Sequence, residues 1–516
     1  MKRFHMLAAA LCCMASPLAL SGTAQAEKIL NVGMAAADVG ALDPHRAVST
    51  QDKPVMNWVF NGLVRFKPGS VAIDGLEPDL AEKWESSADK LTWTFHLRHG
   101  VQFQRGFGEM TADDVVFSLE RAANKDSSSF AADYANVESV KALDPYTVEI
   151  KLKQVVPGFL GLVSNYQGGN VVSKQAVEKL GDQFRTMPVG TGPFEIKEYQ
   201  PNQGITLVAH AGYFRGKPKI DGINYKFIPS DASRDLAFSS GELDLLYGRQ
   251  DQKWVERTKE EPKTVVDVIR PAELAELFLN ETKPPLDNLK VRQAVGYAID
   301  RAAIAQFKGA ATAEPALSVV PAGYLGTINA KLLPHDVAKA KALLKEAGHP
   351  DGVTITAIQT SLPTMLNSMQ IVQAQLKQAG INLELQVVDH ATFHAQIRKD
   401  LSMAVYYSAA RFPVDDIYLT QFFHSRSTVM TPTAATNFAH CSVADAEIDA
   451  ARVEPDEAKQ KALWATAQQK IVDDVCAVPL FEQLQVWAHH TNLHFNYDLK
   501  GSLNLGPTIT EASTLD

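Results

Sequence analysis

Cysteine is scarce in this chain, and after the first two dozen residues no apolar run is long enough to cross a bilayer. Four cysteines in 516 residues exclude a disulfide-dense scaffold, and none are spaced C-x-x-C, the usual framework of a structural zinc or a thioredoxin-type redox pair. The chain also lacks a G-x-S-x-G elbow and an H-E-x-x-H helix, so the commonest hydrolase and zinc-protease chemistries have no residues to run on. Met187–Phe194 is glycine-rich, but it carries neither the P-loop Lys-Ser/Thr nor the G-x-G-x-x-G spacing that would cradle phosphate. Positive charge is in deficit, with 50 Lys and Arg against 59 Asp and Glu, which argues against nucleic acid or an anionic membrane as partner. So many carboxylates produce chance pairs, and no pair counts as a catalytic signal. Neither a 20–50-residue repeat nor a low-complexity segment is present. The expectation is a protein that is not an enzyme and holds no cofactor or metal. His489, His490 and His494 form the best metal-like cluster, but a separation of five suits neither a helix face nor a strand face.

The first 26 residues are of a different kind. Lys2 and Arg3 precede an apolar segment from Met6 to about Leu20, and Ala24-Gln25-Ala26 places small residues where signal peptidase cuts. The segment is shorter than the ~20 residues a membrane span requires, and Cys12 and Cys13 lack the Leu-x-x-Cys order of a lipoprotein. Cleavage after Ala26 is expected, with export to the periplasm. It removes two positive charges and no negative one, taking the formal net charge from −9 to −11. Only Cys441 and Cys476 then remain; in an oxidising compartment they could bridge, or they could be two separate buried thiols. A length of 516 residues implies two to four domains.

Hydrophobic periodicity supplies the elements. Leu91, Trp93, Phe95 and Leu97 alternate with polar residues as a half-buried strand, and Val101 and Phe103 repeat the alternation. Thr111, followed by Asp113 and Asp114, starts a helix whose apolar face is Val115, Val116, Leu119 and Ala122. Strands are predicted at 29–33, 147–152, 223–227 and 243–247, and helices at 56–63, 289–304 and 336–347. Ser230 or Asp231 caps a helix closed by Gly241, so 223–247 reads as strand–helix–strand and implies a parallel pair. Strands at 353–357, 381–387 and 403–407 alternate with helices at 369–379 and 393–397, the doubly wound α/β pattern.

The runs LAEKWE, LTWTFHLRHGVQF, TADDVVFSLERA, VGTGP and GKPKIDGINYKFIPSDASRDLAFSSGELDLLYG resemble the oligopeptide/dipeptide class of extracellular solute-binding proteins, the capture subunits of ABC importers, over essentially the whole mature chain. That resemblance implies an α/β, two-lobed periplasmic-binding-protein fold (type II-like) with an extra inserted α+β domain, three domains in all. It places a discontinuous first domain at 27–65, 190–272 and 482–516, an inserted second domain at 66–189 that forms little of the pocket, and a second lobe at 273–481. It also implies a monomer whose partners are a small-molecule or peptide ligand and the membrane permease. A sensor that presents its ligand to a signalling partner is the alternative role.

In doubly wound sheets ligands bind beyond the carboxyl ends of the strands. That rule points to Tyr247, Gly248 and Arg249 in one lobe. In the other it points to Gln359–Pro363 and to Tyr406, Tyr407, Ser408, Ala409, Ala410, Arg411 and Phe412. Ser49 and Thr50 complete the expected ligand-binding set. Relatives that bind free peptides commonly place an acidic residue in the loop that here reads Ser408–Asp416; this chain has Arg411 instead. An arginine in the cleft favours a carboxylate or phosphate on the ligand, and pairing of Arg411 with Asp415 or Asp416 at the surface is the alternative. The expected ligand is a small anionic solute such as a modified peptide or opine-like conjugate, with short peptides, glutathione-like conjugates and metal chelates as alternatives.

Overall fold

The computed structural model describes residues 27–430 and 436–516, so the expected signal peptide lies outside the described residues. Its organising element is an eleven-stranded mixed sheet shared by two lobes. At its centre two long strands, Thr264–Leu279 and Ala477–His490, run antiparallel. Thr264–Ile269 pairs with Gln485–His490 and Glu273–Phe278 with Ala477–Gln483, with an irregularity between Ile269 and Glu273. On one side Leu245–Tyr247 pairs with the C-terminal half of Ala477–His490 and leads to Ile29–Met34, Gly222–Phe227, Gly204–Ala209 and Phe194–Gln200. On the other side Ala404–Ala409 pairs with the C-terminal half of Thr264–Leu279 and leads to Val353–Thr360 and Ile381–Val388. The sheet therefore passes from lobe to lobe through the ladder of the two long strands. Of Ala477–His490 only His490 is not fully buried. A strand covered on both faces needs no polar alternation, and periodicity alone did not disclose either long strand.

A separate four-stranded antiparallel sheet, ordered Ala81–Ser86, Thr92–Leu97, Thr147–Leu152, Val137–Asp144, carries the helix Ala112–Ala123. Phe95 and Leu97 are buried in it, as are Val115, Leu119 and Ala122 of the helix. The Asp114 carboxylate accepts from the Thr111 N–H at 3.0 Å, closing the helix start. Val101 and Phe103 are buried but lie in a turn-rich segment, with only an isolated bridge at Gln102, and do not extend the strand.

Three further expectations change in detail. The helix expected at 56–63 is Lys53–Val59, because Pro54 suits a first helical turn and Phe60 is already extended. The helix expected at 289–304 is two, Leu289–Ala298 and Arg301–Lys308. Asp300 interrupts it, its carboxylate accepting from the Ala303 N–H at 3.0 Å as cap of the second. Gly222–Phe227 and Leu245–Tyr247 are parallel but not neighbours, since the N-terminal strand Ile29–Met34 inserts between them. Cys441 and Cys476 are joined by a disulfide that ties the loop after Asn437 to the start of the second long strand.

Candidate functional site

The two lobes meet where the long strands cross between them, and side chains from three segments converge there. Tyr247 ends its strand in the first lobe, and its hydroxyl donates to Gln485 Oε1 at 3.2 Å. Glu273 stands opposite Gln483 across the long-strand pair. Ser408, whose hydroxyl bonds Glu273, and Tyr407 close the strand Ala404–Ala409, and Arg411 follows in the loop beyond. Tyr247, Glu273, Arg411 and Asp133 are each half-buried at this junction, and Arg411 stands close enough to act on the charge of both Glu273 and Asp133.

Arg411 is the centre of charge. Its Nε donates to Gln421 Oε1 at 2.6 Å, its Nη1 to the Ala410 carbonyl at 3.0 Å, and its guanidinium lies 4.9 Å from the Phe422 ring centroid. The Tyr324 hydroxyl fixes the loop, donating to the Arg411 carbonyl at 2.7 Å. Burial works against the Arg411 charge, but the hydroxyls of Tyr407, Tyr166, Tyr418 and Tyr324 outweigh it and raise its pKa. The nearest acids are weakened. Burial pushes Asp133 up to about 6 against the pull of Arg411 and Gln421. It also raises Glu273 against Lys53, Arg411 and Ser408. Lys53 places its ammonium 5.6 Å from the Tyr166 ring centroid. Among the described residues neither Lys53 nor Arg411 lies within ion-pair distance of a carboxylate, although both attract Glu273 and Arg411 also attracts Asp133.

The pairing of Arg411 with Asp415 or Asp416 does not occur. Asp415 accepts from Gln468 at 2.6 Å and from Thr327 at 3.2 Å, and Asp416 pairs with Arg452 at 3.2 Å. Of the expected ligand-binding residues, Tyr247, Tyr407, Ser408 and Arg411 come together. Ser49 and Thr50 are half-buried in the loop before Lys53, which the Asp52 carboxylate pins by accepting from the N–H groups of Gly40 (2.7 Å) and Ser49 (3.2 Å). Packing occupies the other three. A Cβ on Gly248 would fall 2.6 Å from the Trp254 ring, and Ala409 is buried in the core of the second lobe. The Phe412 ring presses on Gly161, where a Cβ would fall 2.0 Å from Phe412 Cζ, and stands edge-on to Phe66. Arg249 pairs with Asp235 at 2.6 Å.

Lys53, Asp133, Tyr166, Glu273, Tyr324 and Gln421 were not anticipated. Asp133 and Tyr166 lie within the stretch 66–189 and stand beside Arg411. Only Glu273 had a visible signal, as one of two acids, with Glu276, inside the otherwise apolar run Ala272–Leu279. In a recess lined by Arg65, Lys67, Asn165, Tyr213 and Glu511, Arg65 pairs with Glu77 at 2.7 Å, and Arg215 nearby pairs with Asp79 at 3.1 Å. The three histidines go separate ways: His489 faces Asp267, His490 stacks on Phe238 and His494 pairs with Asp516.

A two-lobed α/β molecule with half-buried charged and aromatic side chains gathered at the lobe junction has the architecture of a periplasmic-type binding protein. Residues 75–429 match the family of bacterial extracellular solute-binding proteins, family 5 (middle region). The chain belongs to that family and is a solute-binding protein of the ABC-importer class, not an enzyme. It is 30% identical over 505 residues, 95% of each chain, to the glutathione-binding protein GsiB of Salmonella choleraesuis (strain SC-B67). Among solved structures it is similar to MoaA of A. tumefaciens R10 in complex with mannopinic acid. The identity there is 48% and the TM-score 0.89, covering 95% of this chain and 100% of that one. It is also similar to DppA of Helicobacter pylori in complex with the peptide STSA, at 26% identity and a TM-score of 0.82, covering 94% and 98%. Such proteins work outside the cytoplasmic membrane, and among the described residues no helix is long and apolar enough to cross one.

Proposed function

We propose that this protein captures an opine-type organic acid at the lobe junction and delivers it to its permease. The observation that carries this reading is Arg411, a half-buried guanidinium among four tyrosines with no carboxylate within ion-pair distance among the described residues, its acidic neighbours Asp133 and Glu273 being shifted toward the neutral form by burial. A buried unpaired charge is costly, and a ligand carboxylate removes the cost. Lys53 offers a second anionic contact. The similarity to a binding protein solved in complex with mannopinic acid supports a ligand of that class. In this reading the chain is exported by cleavage after Ala26 and acts as a monomer. Its three domains are 27–65 with 190–272 and 482–516, the insert 66–189, and the second lobe 273–481.

Calorimetry of the mature protein with mannopinic acid, glutathione and a dipeptide tests the proposal. Mannopinic acid is expected to bind in the micromolar range or tighter. Arg411→Ala should weaken that binding about tenfold to a hundredfold, the worth of one charged hydrogen-bonded contact. Unchanged affinity removes Arg411 from the site, and binding of the dipeptide alone replaces the opine reading with a peptide one.

A further inference from the structure

Gln421 stands between Arg411 and Asp133 and bonds both. Arg411 Nε donates to Gln421 Oε1 at 2.6 Å, and Gln421 Nε2 donates to Asp133 Oδ1 at 3.3 Å. The neighbours fix the direction of the amide, since a guanidinium only donates and an ionised carboxylate only accepts. Gln421 is half-buried near the end of the helix Asp415–Phe423, and its carbonyl accepts from the Thr436 hydroxyl at 2.9 Å, which holds its backbone in place. The next residue, Phe422, carries the guanidinium over its ring. The bonds to Gln421 and to the Ala410 carbonyl orient the guanidinium, and among the described residues its Nη2 makes no hydrogen bond. Asp133 sits on the turn Ala131–Tyr134, and among the described residues only Gln421 bonds its carboxylate.

An amide both accepts and donates, so it can bond a guanidinium at one end and a carboxylate at the other. A glutamate in its place would pair with Arg411 directly and repel Asp133. An apolar side chain would free both charges, and opposite charges so freed attract each other. We propose that Gln421 sets the charge preference of the site: its amide keeps Arg411 and Asp133 apart, so that the guanidinium stays available to an anion on the ligand. Glu273, the other acid that Arg411 attracts, is held in a similar way by the Ser408 hydroxyl. Gln421 acts through Arg411 and is therefore a positioning residue. This rests on the anionic-ligand reading above and adds the residue that keeps the site selective.

Calorimetry of the mature protein with two anionic probes, mannopinic acid and glutathione, tests this role. Gln421→Glu, which keeps the length and sets a carboxylate against Arg411, should weaken binding about a hundredfold, and Gln421→Met, which removes the bridge, about tenfold. The Gln421→Met/Asp133→Asn protein should regain most of that loss, because Asp133 no longer competes for the guanidinium. A side chain that merely filled space would not be rescued from a second position. Circular dichroism checks the fold, and the comparison of Gln421→Met with the double variant carries the test should Gln421→Glu not fold. Binding by Gln421→Glu as tight as that of the wild type, or a Gln421→Met loss that Asp133→Asn does not relieve, overturns the role of Gln421 and leaves the anionic reading standing. Failure of the wild type to bind either probe overturns both.

Discussion

Arg411 holds its charge in a place where burial alone would weaken it, and Asp133 shows the opposite outcome in the same place. Asp133 rises from the ordinary 3.8 to about 6, with burial the largest cause. Its pKa is then higher in the folded than in the unfolded chain, so the folded protein holds the proton more tightly. The Asp133 contribution to stability therefore falls as pH rises from about 4 to about 6 and is level above that. Asp133→Asn removes this dependence. The ligand-free variant should be more stable than wild type at pH 7.5 by on the order of 1 kcal/mol, with the difference gone at pH 4, as read from denaturant midpoints. Asp52, which burial also lifts to about 6, titrates in both proteins and cancels in the comparison. At this scale Arg411, Tyr407, Ser408 and Tyr247 were legible because strand ends in a doubly wound sheet are where ligands sit. Asp133 and Tyr166 were not, since nothing near them in the chain differs from an ordinary surface turn. Only long-range packing, with Phe412 on Gly161 and Gln421 donating to Asp133, brings them beside Arg411.

Elements with a start signal and a period were read well. Thr111, Ser230 and Asp336 cap the helices expected of them, and Thr147–Leu152 is the strand its alternation describes. The long strands escaped because their signal is of another kind. Pro271, Glu273 and Glu276 break the pattern of the first, and the second is buried on both faces. The disulfide gives the element-scale prediction. Closing a loop between residues 35 apart should contribute about 3–4 kcal/mol through the unfolded chain's lost freedom. The Cys441→Ser/Cys476→Ser protein is therefore expected to unfold at lower denaturant by that amount, while titration of the unreduced, denatured wild type finds no free thiol.

For the whole molecule, binding and closure are one equilibrium. A ligand that touches Arg411 in one lobe and Tyr247 in the other favours the closed form only by the difference in its affinity for the two forms. Small-angle scattering should show a smaller radius of gyration with saturating ligand, and thermal stability should rise by about 2.7 kcal/mol at a hundred times Kd. An unchanged radius would count against hinge closure. The same two strands also join the lobes by a hydrogen-bonded ladder interrupted only between Ile269 and Glu273 and between Ala275 and Glu276. Neither lobe owns its central strands outright. A polypeptide cut to release one half would expose an unpaired sheet edge along most of its length, an invitation to aggregate. The halves are therefore expected to melt in a single transition and to resist production as separate soluble pieces.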